Sequence, residues 1–162
     1  MVLALIADTH LPRGKRRLPE ECVERMRAAD AILHAGDLMA REVLEALEAL
    51  GPPVHAVRGN ADDAWLVARL PLMRTLAFEG VKLGMIHDAG PAKGRLERLR
   101  RRFPDADAVV FGHSHIPLHE EHAGFQIFNP GSPTERRRQP RHTMGIATVE
   151  NGKISFDLTL LE

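Results

Sequence analysis

Short apolar runs alternate with amphipathic stretches over the first two-thirds of the chain. The apolar runs contain β-branched residues and predict strands, whereas apolar residues that recur three or four positions apart predict helices. The predicted strands cover residues 2–7, 31–35, 54–57, 73–78, 81–87 and 108–111, and the predicted helices cover 19–29, 40–50, 63–70 and 93–103. Strands that alternate with helices are typical of an α/β fold.

The last third of the chain has a different pattern. It predicts strands at 116–119, 124–128, 143–150 and 153–160, and Asn151-Gly152 between the last two is a strong hairpin signal. Consecutive strands joined by tight turns predict an antiparallel meander. The irregular segment 129–142 interrupts it, and long loops in compact domains are often functional.

Composition excludes several classes of protein. The 162 residues suit one domain, 1–162, and 22 Lys and Arg balance 22 Asp and Glu, so no net charge attracts nucleic acid or an acidic membrane. The single cysteine, Cys22, excludes an intramolecular disulfide and a cysteine-based zinc site, which fits the reducing cytoplasm. No apolar run can cross a bilayer, and the N-terminal run lacks the basic region of a signal peptide.

Residues that bind metals well follow five of the predicted strands. The segments are Ala7-Asp8-Thr9-His10, Ala35-Gly36-Asp37, Arg58-Gly59-Asn60-Ala61-Asp62, Ile86-His87-Asp88 and Phe111-Gly112-His113-Ser114-His115. Ligands of open α/β sheets bind beyond the carboxyl ends of the strands, so we expect about seven oxygen and nitrogen donors to converge there.

The spacing within these segments supports convergence. In extended backbone, residues i and i+2 point to the same side, so Asp8 with His10, and His113 with His115, are each expected to bind from one strand end. A glycine precedes three of the candidate ligands, and the missing side chain allows backbone and metal to approach closely. These glycines are Gly36, Gly59 and Gly112.

The donors are carboxylate, amide oxygen and imidazole, without a thiolate. This set suits Mn²⁺, Fe²⁺, Ni²⁺, Co²⁺ or Zn²⁺ better than Mg²⁺ or Ca²⁺, and we expect Mn²⁺ first. Seven donors exceed the needs of one four-coordinate zinc. They fit two ions that share a bridging carboxylate, about 3.5–4 Å apart.

The ordered series D-x-H, G-D, G-N-x-D, H and G-H-x-H resembles the calcineurin-like metallophosphoesterase superfamily. The short chain and the turn Asn129-Pro130-Gly131-Ser132 are similar to its small phosphodiesterase-like branch in bacteria and archaea. The resemblance implies a four-layer α/β/β/α sandwich of two mixed β-sheets flanked by helices, with metals at one edge and Ser132 close to them.

The resemblance also implies the role of each ligand. Asp8, His10 and His115 would hold one ion, Asn60, His87 and His113 the other, and Asp37 would bridge the two. The implied activity is hydrolysis of small phosphate esters, diesters first and also monoesters, by a hydroxide between the ions. Asp37, Asn60 and His113 are then the catalytic residues.

Two positions depart from the family pattern. Ala61 stands where many members have histidine or, in the small branch, cysteine, ahead of the motif's Asp62. An alanine methyl cannot protonate a leaving group, which predicts a preference for esters with good leaving groups. Asp88 follows His87 where glycine is more common, and it is either an acceptor beside a ligand or a loop residue.

Other polar residues have alternative interpretations. His34 lies inside a strand beside the Asp37 turn, and a core or ligand-supporting histidine is favoured there over a direct ligand. Arg13 begins a basic run, 13–17, and more arginines occupy 136–141. Arginine matches phosphate oxygens well, but exposed loops are commonly charged for solubility alone.

Two functional alternatives remain open from the sequence. A nuclease is disfavoured because the chain has little sequence beyond the catalytic core, so nucleic acid is not an expected partner. The second alternative is a non-catalytic scaffold module of the same fold, because the superfamily includes a retromer scaffold subunit with altered metal ligands. We expect a small phosphate ester as the partner and no membrane, and we leave a homo-oligomer open.

Overall fold

The computed structural model describes residues 1–162 and contains ten strands and four helices. The helices are α1 (Glu20–Ala28), α2 (Arg41–Glu48), α3 (Ala64–Arg69) and α4 (Arg95–Arg102). The strands are β1 (Val2–Ile6), β2 (Ala31–His34), β3 (Val54–Ala56), β4 (Met73–Phe78), β5 (Val81–Ile86), β6 (Ala108–Val110), β7 (Leu118–His122), β8 (Phe125–Asn129), β9 (His142–Glu150) and β10 (Lys153–Leu161).

The strands form two mixed five-stranded sheets. The first has the order β10-β9-β1-β2-β3, with β1, β2 and β3 parallel and β9 antiparallel to β1. The second has the order β4-β5-β6-β8-β7, with β5, β6 and β8 parallel and both edge strands antiparallel. Parallel pairing within each sheet brings the carboxyl ends of several strands to one edge.

The alternation of side chains along β1 shows how four layers arise. Leu3 and Leu5 face the second sheet and belong to the core between the sheets, with Phe128 opposite. Ala4 and Ile6 face the other way and pack beneath α1, α2 and α3. Helix α4 covers the outer face of the second sheet. The predicted α/β/β/α sandwich is confirmed.

The predicted antiparallel meander is wrong. Strands β7 and β8 form a hairpin in the second sheet, where β8 pairs parallel with β6, whereas β9 and β10 belong to the first sheet beside β1. Local alternation specifies strands but not their partners. Strand β7 also begins at Leu118, after the predicted start at 116, since Pro117 has no N–H for a ladder hydrogen bond.

The predicted Asn151-Gly152 hairpin is confirmed. Both residues have positive φ angles, 52° and 71°, between β9 and β10. None of the four helices is long and apolar enough to cross a membrane.

The two sheets approach closely at Gly145 in β9. A β-carbon at this position would lie 3.1 Å from Phe128 Cζ, closer still to Phe128 Cε1, and 3.2 Å from the β-carbon of Leu5. The aromatic ring of Phe128 fills this space and stacks on Phe156, with ring centroids 4.8 Å apart. Only glycine therefore fits at position 145 without displacing Phe128.

We expect Gly145→Ala to lower the free energy of unfolding by about 1–3 kcal/mol, because the added methyl forces Phe128 out of its position. Urea unfolding of both proteins measures the change. Ser155→Ala on the exposed face of β10 is the control, with an expected effect within about 0.5 kcal/mol. Equal stability of Gly145→Ala and the wild type would contradict the packing described.

Candidate metal centre

The five motif segments follow strands of both sheets and meet at one edge. The strand ends are those of β1, β2 and β3 in the first sheet and of β5 and β6 in the second. Side-chain distances divide the donors into two adjacent groups, Asp8 with His10 and His115, and Asp37 with His87 and His113. The edge is thus built from two sheets, and neither sheet supplies either group alone.

The first group is almost completely buried. The Nε2 atoms of His115 and His10 lie 3.4 and 3.8 Å from Asp8 Oδ1. Atoms that share one ion at about 2.0–2.2 Å lie within roughly 4.4 Å of each other, so these distances fit a common ion.

These same three atoms have no hydrogen-bond partner: Asp8 Oδ1, His10 Nε2 and His115 Nε2 are all buried without one. A buried polar atom left without a partner costs about 1–3 kcal/mol. Three such atoms facing one another form a site that a divalent cation fits, since it would satisfy all three at once.

Asn60 adds an amide oxygen beside the imidazoles of the second group. Asn60 Oδ1 lies 3.1 Å from His87 Nε2 and 3.0 Å from His113 Nδ1, and the two ring nitrogens are 3.3 Å apart. The exposed fraction of the side chain is 45% for His113 but 3% for His87. This group therefore opens to solvent on the His113 side.

Asp37 belongs to the second group and also faces the first. Its Oδ2 is 3.4 Å from His10 Nε2 and 3.2 Å from His87 Nε2. Its Oδ1 accepts a hydrogen bond of 2.7 Å from the Ala61 N–H. Burial raises the pKa of Asp37, but the hydrogen bond from His87, the nearby imidazoles and the Ala61 N–H outweigh it and lower the pKa to about 2. The carboxylate is therefore anionic at neutral pH.

Backbone carbonyls orient two of the imidazoles. His87 Nδ1–H donates to the Ala35 carbonyl at 2.7 Å, and His115 Nδ1–H donates to the Glu135 carbonyl. In the neutral ring, each contact keeps the proton on Nδ1 and leaves the Nε2 lone pair facing the centre, as a metal ligand requires. Burial lowers the pKa of His115. Burial also acts to lower the pKa of His87, but the nearby carboxylates of Asp37 and Asp8 outweigh it, and the pKa of His87 is raised.

The extended backbone expected around the candidate ligands is wrong. Asp8, His10, Asp37, His113 and His115 all have positive φ angles, between 44° and 70°. Left-handed residues cost roughly 1–3 kcal/mol each and cluster at functional sites. Because the backbone turns at each of these residues, His113 and His115 face different groups, although they are two positions apart.

The motif glycines lie close to the side chains of candidate ligands. A β-carbon at Gly36 would lie 2.7 Å from His87 Nδ1, and one at Gly112 would lie 2.9 Å from Asp8 Oδ2. A β-carbon at Gly59 would overlap Asp37 Oδ1. Any side chain at these positions displaces a candidate ligand.

Asp62 joins the loops that follow β2 and β3. Its carboxylate accepts hydrogen bonds from the N–H groups of Gly59 at 2.6 Å, Met39 at 2.8 Å and Asp37 at 3.2 Å. It does not belong to either group of donors. Asp62 thus fixes the distance between Asn60 and Asp37, which come from different strand ends.

His34 supports the site from within the core. The Gly36 N–H donates to His34 Nδ1 at 3.1 Å, so the ring proton is on Nε2, which lies 3.0 Å from Thr9 Oγ1. Both ring nitrogens are engaged with the loops that carry Asp8 and Asp37. Burial, with a smaller contribution from His87, lowers the pKa of His34 to about 3.

Ser132 attaches the long loop to the first strand end. Its hydroxyl donates to the Asp8 carbonyl at 2.8 Å and accepts the Glu135 N–H at 2.8 Å. Thr134 Oγ1 donates to the Thr9 carbonyl at 2.6 Å. The loop that the sequence marks as functional therefore lies against the first group.

Asp88 and Arg13 lie at the rim. Asp88 accepts the Gly90 N–H at 2.8 Å, and its Oδ2 is 4.0 Å from His113 Nε2. Arg13 donates to Glu135 Oε1 at 3.2 Å. Arg13 thus contacts a carboxylate of its own chain at the position where the sequence suggests a phosphate contact.

Sequence reasoning missed Glu135. Its Oε2 lies 3.5 Å from His10 Nε2, and Oε1 lies within 3.4 Å of Arg13 and Arg16. No spacing rule identifies a single carboxylate in an irregular loop. The only signal was the length of segment 129–142, which indicates a region and not a residue.

The buried neutral imidazole of His34 predicts a pH dependence of stability. The pKa of His34 is lower in the native protein than in the unfolded chain. The neutral ring therefore makes its full contribution to the free energy of unfolding above about pH 6.5. That contribution decreases by roughly 1.4 kcal/mol per pH unit as the pH falls toward 3. Denaturant unfolding at pH 7, 6, 5 and 4 should show a smaller decrease for His34→Gln than for the wild type. Equal slopes, or a His34 ring that titrates near 6.5 by NMR, would contradict this.

Similarity to known proteins agrees with this geometry. The calcineurin-like phosphoesterase superfamily domain matches residues 1–152. A probable metallophosphoesterase from Methanothermobacter thermautotrophicus is 35% identical over 160 residues, which is 98% of this chain and 91% of the archaeal protein.

Two solved structures share the fold. One is wild-type Vps29 from Entamoeba histolytica complexed with Zn²⁺, with a TM-score of 0.80, 21% identity and 99% of each chain covered. The other is an archaeal phosphodiesterase, with a TM-score of 0.75, 22% identity and coverage of 98% of this chain and 100% of that chain. The superfamily match and the archaeal relative carry the assignment: the chain belongs to the calcineurin-like phosphoesterase superfamily.

Proposed function

We propose that the protein is a metal-dependent phosphoesterase that hydrolyses small phosphate esters, diesters in particular, with two divalent ions. The observation that carries the proposal is the set of three buried, partnerless atoms on Asp8, His10 and His115 beside a second group of donors. Membership of the phosphoesterase superfamily supports the reaction type.

The residues divide between two ions according to their distances. Asp8, His10 and His115 would hold the first, Asn60, His87 and His113 the second, and Asp37 is suited to bridge them because Oδ2 faces both groups. When bound, such ions ionise a water near neutral pH and neutralise charge that develops at phosphorus. Mixed nitrogen and oxygen donors suit a divalent transition metal such as Mn²⁺, Fe²⁺, Ni²⁺, Co²⁺ or Zn²⁺, and Mn²⁺ is the ion we propose first.

The protein's own contribution is to hold these groups in position. Asp37 is anionic, and the Ala61 N–H fixes one of its oxygens while the other faces the centre. His87 and His115 are each held by a backbone carbonyl. A site whose donors are already oriented needs little rearrangement during the reaction.

A cleft of about 470 Å³ adjoins the open side of the second group. Asn60, His87 and His113 form part of its wall. Apolar and charged side chains line the rest: Arg58, Val67, Leu72, Ile86, Asp88 and Arg102. The size suits a small organic ester, with apolar surface for its substituent and guanidinium groups for phosphate oxygens.

Ala61 supports a preference for good leaving groups. Its backbone N–H is used by Asp37, and its methyl group offers no proton. General-acid assistance contributes typically 10²–10⁴-fold, so its absence penalises esters whose leaving group needs a proton.

We expect the wild type to bind two Mn²⁺ per chain and to hydrolyse bis-p-nitrophenyl phosphate. Asp37→Ala should lower both the metal content and kcat, kcat by at least about 10²-fold, since it removes the carboxylate that faces both groups. Metal analysis and steady-state kinetics measure these effects. Asp105→Ala removes an exposed carboxylate in the turn after α4 and is the matched control.

Two outcomes would contradict the enzyme proposal. Tight binding of two ions without turnover on any ester would indicate a metal-binding scaffold module instead. Turnover that survives Asp37→Ala unchanged would place the reaction elsewhere.

The leaving-group preference can be tested on phosphodiesters of graded leaving-group pKa. We expect log kcat to fall steeply as the pKa of the leaving group rises, and Ala61→His to flatten this dependence by supplying an imidazole. Ala61→Asn adds a polar group of similar reach without a proton donor of suitable pKa and should leave the slope steep. A flat dependence in the wild type, with chemistry shown to limit the rate, would contradict the role of Ala61.

A further inference from the structure

We propose that Glu135 is an additional residue of the metal centre, whose carboxylate stabilises a divalent ion held by Asp8, His10 and His115. The inference rests on the proposed metal centre and extends it to a residue outside the five motif segments. Three observations support it: the direction of the carboxylate, the way its backbone is held, and the charge around it.

The carboxylate of Glu135 divides its oxygens between two environments. Oε2 lies 3.5 Å from His10 Nε2, one of the three buried atoms without a hydrogen-bond partner. Oε1 faces away and lies 3.2 Å from an Arg13 nitrogen and 3.4 Å from an Arg16 nitrogen. The exposed fraction of the Glu135 side chain is only 18%, so solvent screens its charge incompletely.

The backbone of Glu135 is fixed to the same site. Its N–H donates to Ser132 Oγ, whose hydroxyl in turn donates to the Asp8 carbonyl. Its carbonyl accepts the hydrogen bond that orients His115. The main chain of Glu135 therefore contacts His115 directly and Asp8 through the Ser132 hydroxyl, while its side chain faces the third member, His10.

The charge balance of the metal centre suggests what Glu135 does there. Two divalent ions bring four positive charges, against which Asp8 and Asp37 supply two negative ones. Glu135 adds a third carboxylate, whose Oε1 is paired with Arg13 and Arg16 while Oε2 faces His10. A third carboxylate beside the first ion reduces the remaining excess of positive charge.

Substitution of Arg13 should change the metal affinity in the opposite direction from substitution of Glu135. It and Arg16 attract the same carboxylate that would stabilise the ion, and they add positive charge nearby. Arg16 also donates to the His10 carbonyl at 3.2 Å, so its removal would disturb a ligand directly. Arg13 has a 64% exposed side chain and no contact with the candidate ligands apart from Glu135, which makes it the cleaner site.

The experiment is calorimetric titration of the metal-free protein with Mn²⁺. Glu135→Gln keeps the size of the side chain and removes the charge, and we expect it to weaken one of the two binding events by about 10–100-fold. Arg13→Gln should strengthen the same event by a few-fold, because a positive charge is lost and the carboxylate is released. Glu135→Asp keeps the charge and should retain more affinity than Glu135→Gln.

Glu120→Gln on the exposed edge strand β7 is the matched control and should bind as the wild type does. Thermal unfolding of each metal-free variant separates affinity from stability. Equal Mn²⁺ affinity of Glu135→Gln and the wild type would overturn the proposal. So would a loss of affinity in both Glu135→Gln and Arg13→Gln, since that result indicates only a structural ion pair.

The two proposals fail in different ways. If the wild type binds two ions and hydrolyses esters while Glu135→Gln binds equally well, only the role of Glu135 is wrong. If the wild type binds no Mn²⁺ at all, the metal centre is wrong and the role of Glu135 with it.

Discussion

Three buried atoms that accept or donate no hydrogen bond are the constraint around which the rest of the site is arranged. Asp8 Oδ1, His10 Nε2 and His115 Nε2 face one another where the ends of two sheets meet. The core between the sheets holds β1 against β6 and prevents these groups from separating to reach water. The fold thus maintains a cluster that is unfavourable by itself and favourable around a cation.

Several weaker interactions hold the loops that carry the donors. Asp62 ties the loops after β2 and β3 together through three backbone N–H groups, and Ser132 ties the long loop to Asp8. Left-handed backbone at the five candidate ligands with positive φ angles directs their side chains toward the centre. The missing side chain at Gly59 leaves room for Asp37. Local strain is therefore concentrated at the site, while the hydrophobic core supplies the stability that sustains it.

The sequence predicts the fold class, and it picks out donors that the structure brings together, because both depend on local signals. Apolar periodicity locates the helices and most strands, and donors such as Asp37 directly follow strands. The predicted meander was wrong because the alternation of apolar and polar residues does not determine which sheet a strand such as β9 joins. The division of His113 and His115 between two groups depends on positive φ angles, and the contact of Glu135 depends on the course of an irregular loop; neither has a periodic signature.

Anomalous diffraction from crystals grown with Mn²⁺ would show whether two ions bind where the strand ends of both sheets meet. We expect two anomalous peaks about 3.5–4 Å apart, one contacted by Asp8, His10 and His115 and the other by Asn60, His87 and His113, with Asp37 between them. A single peak, or peaks remote from these residues, would contradict it.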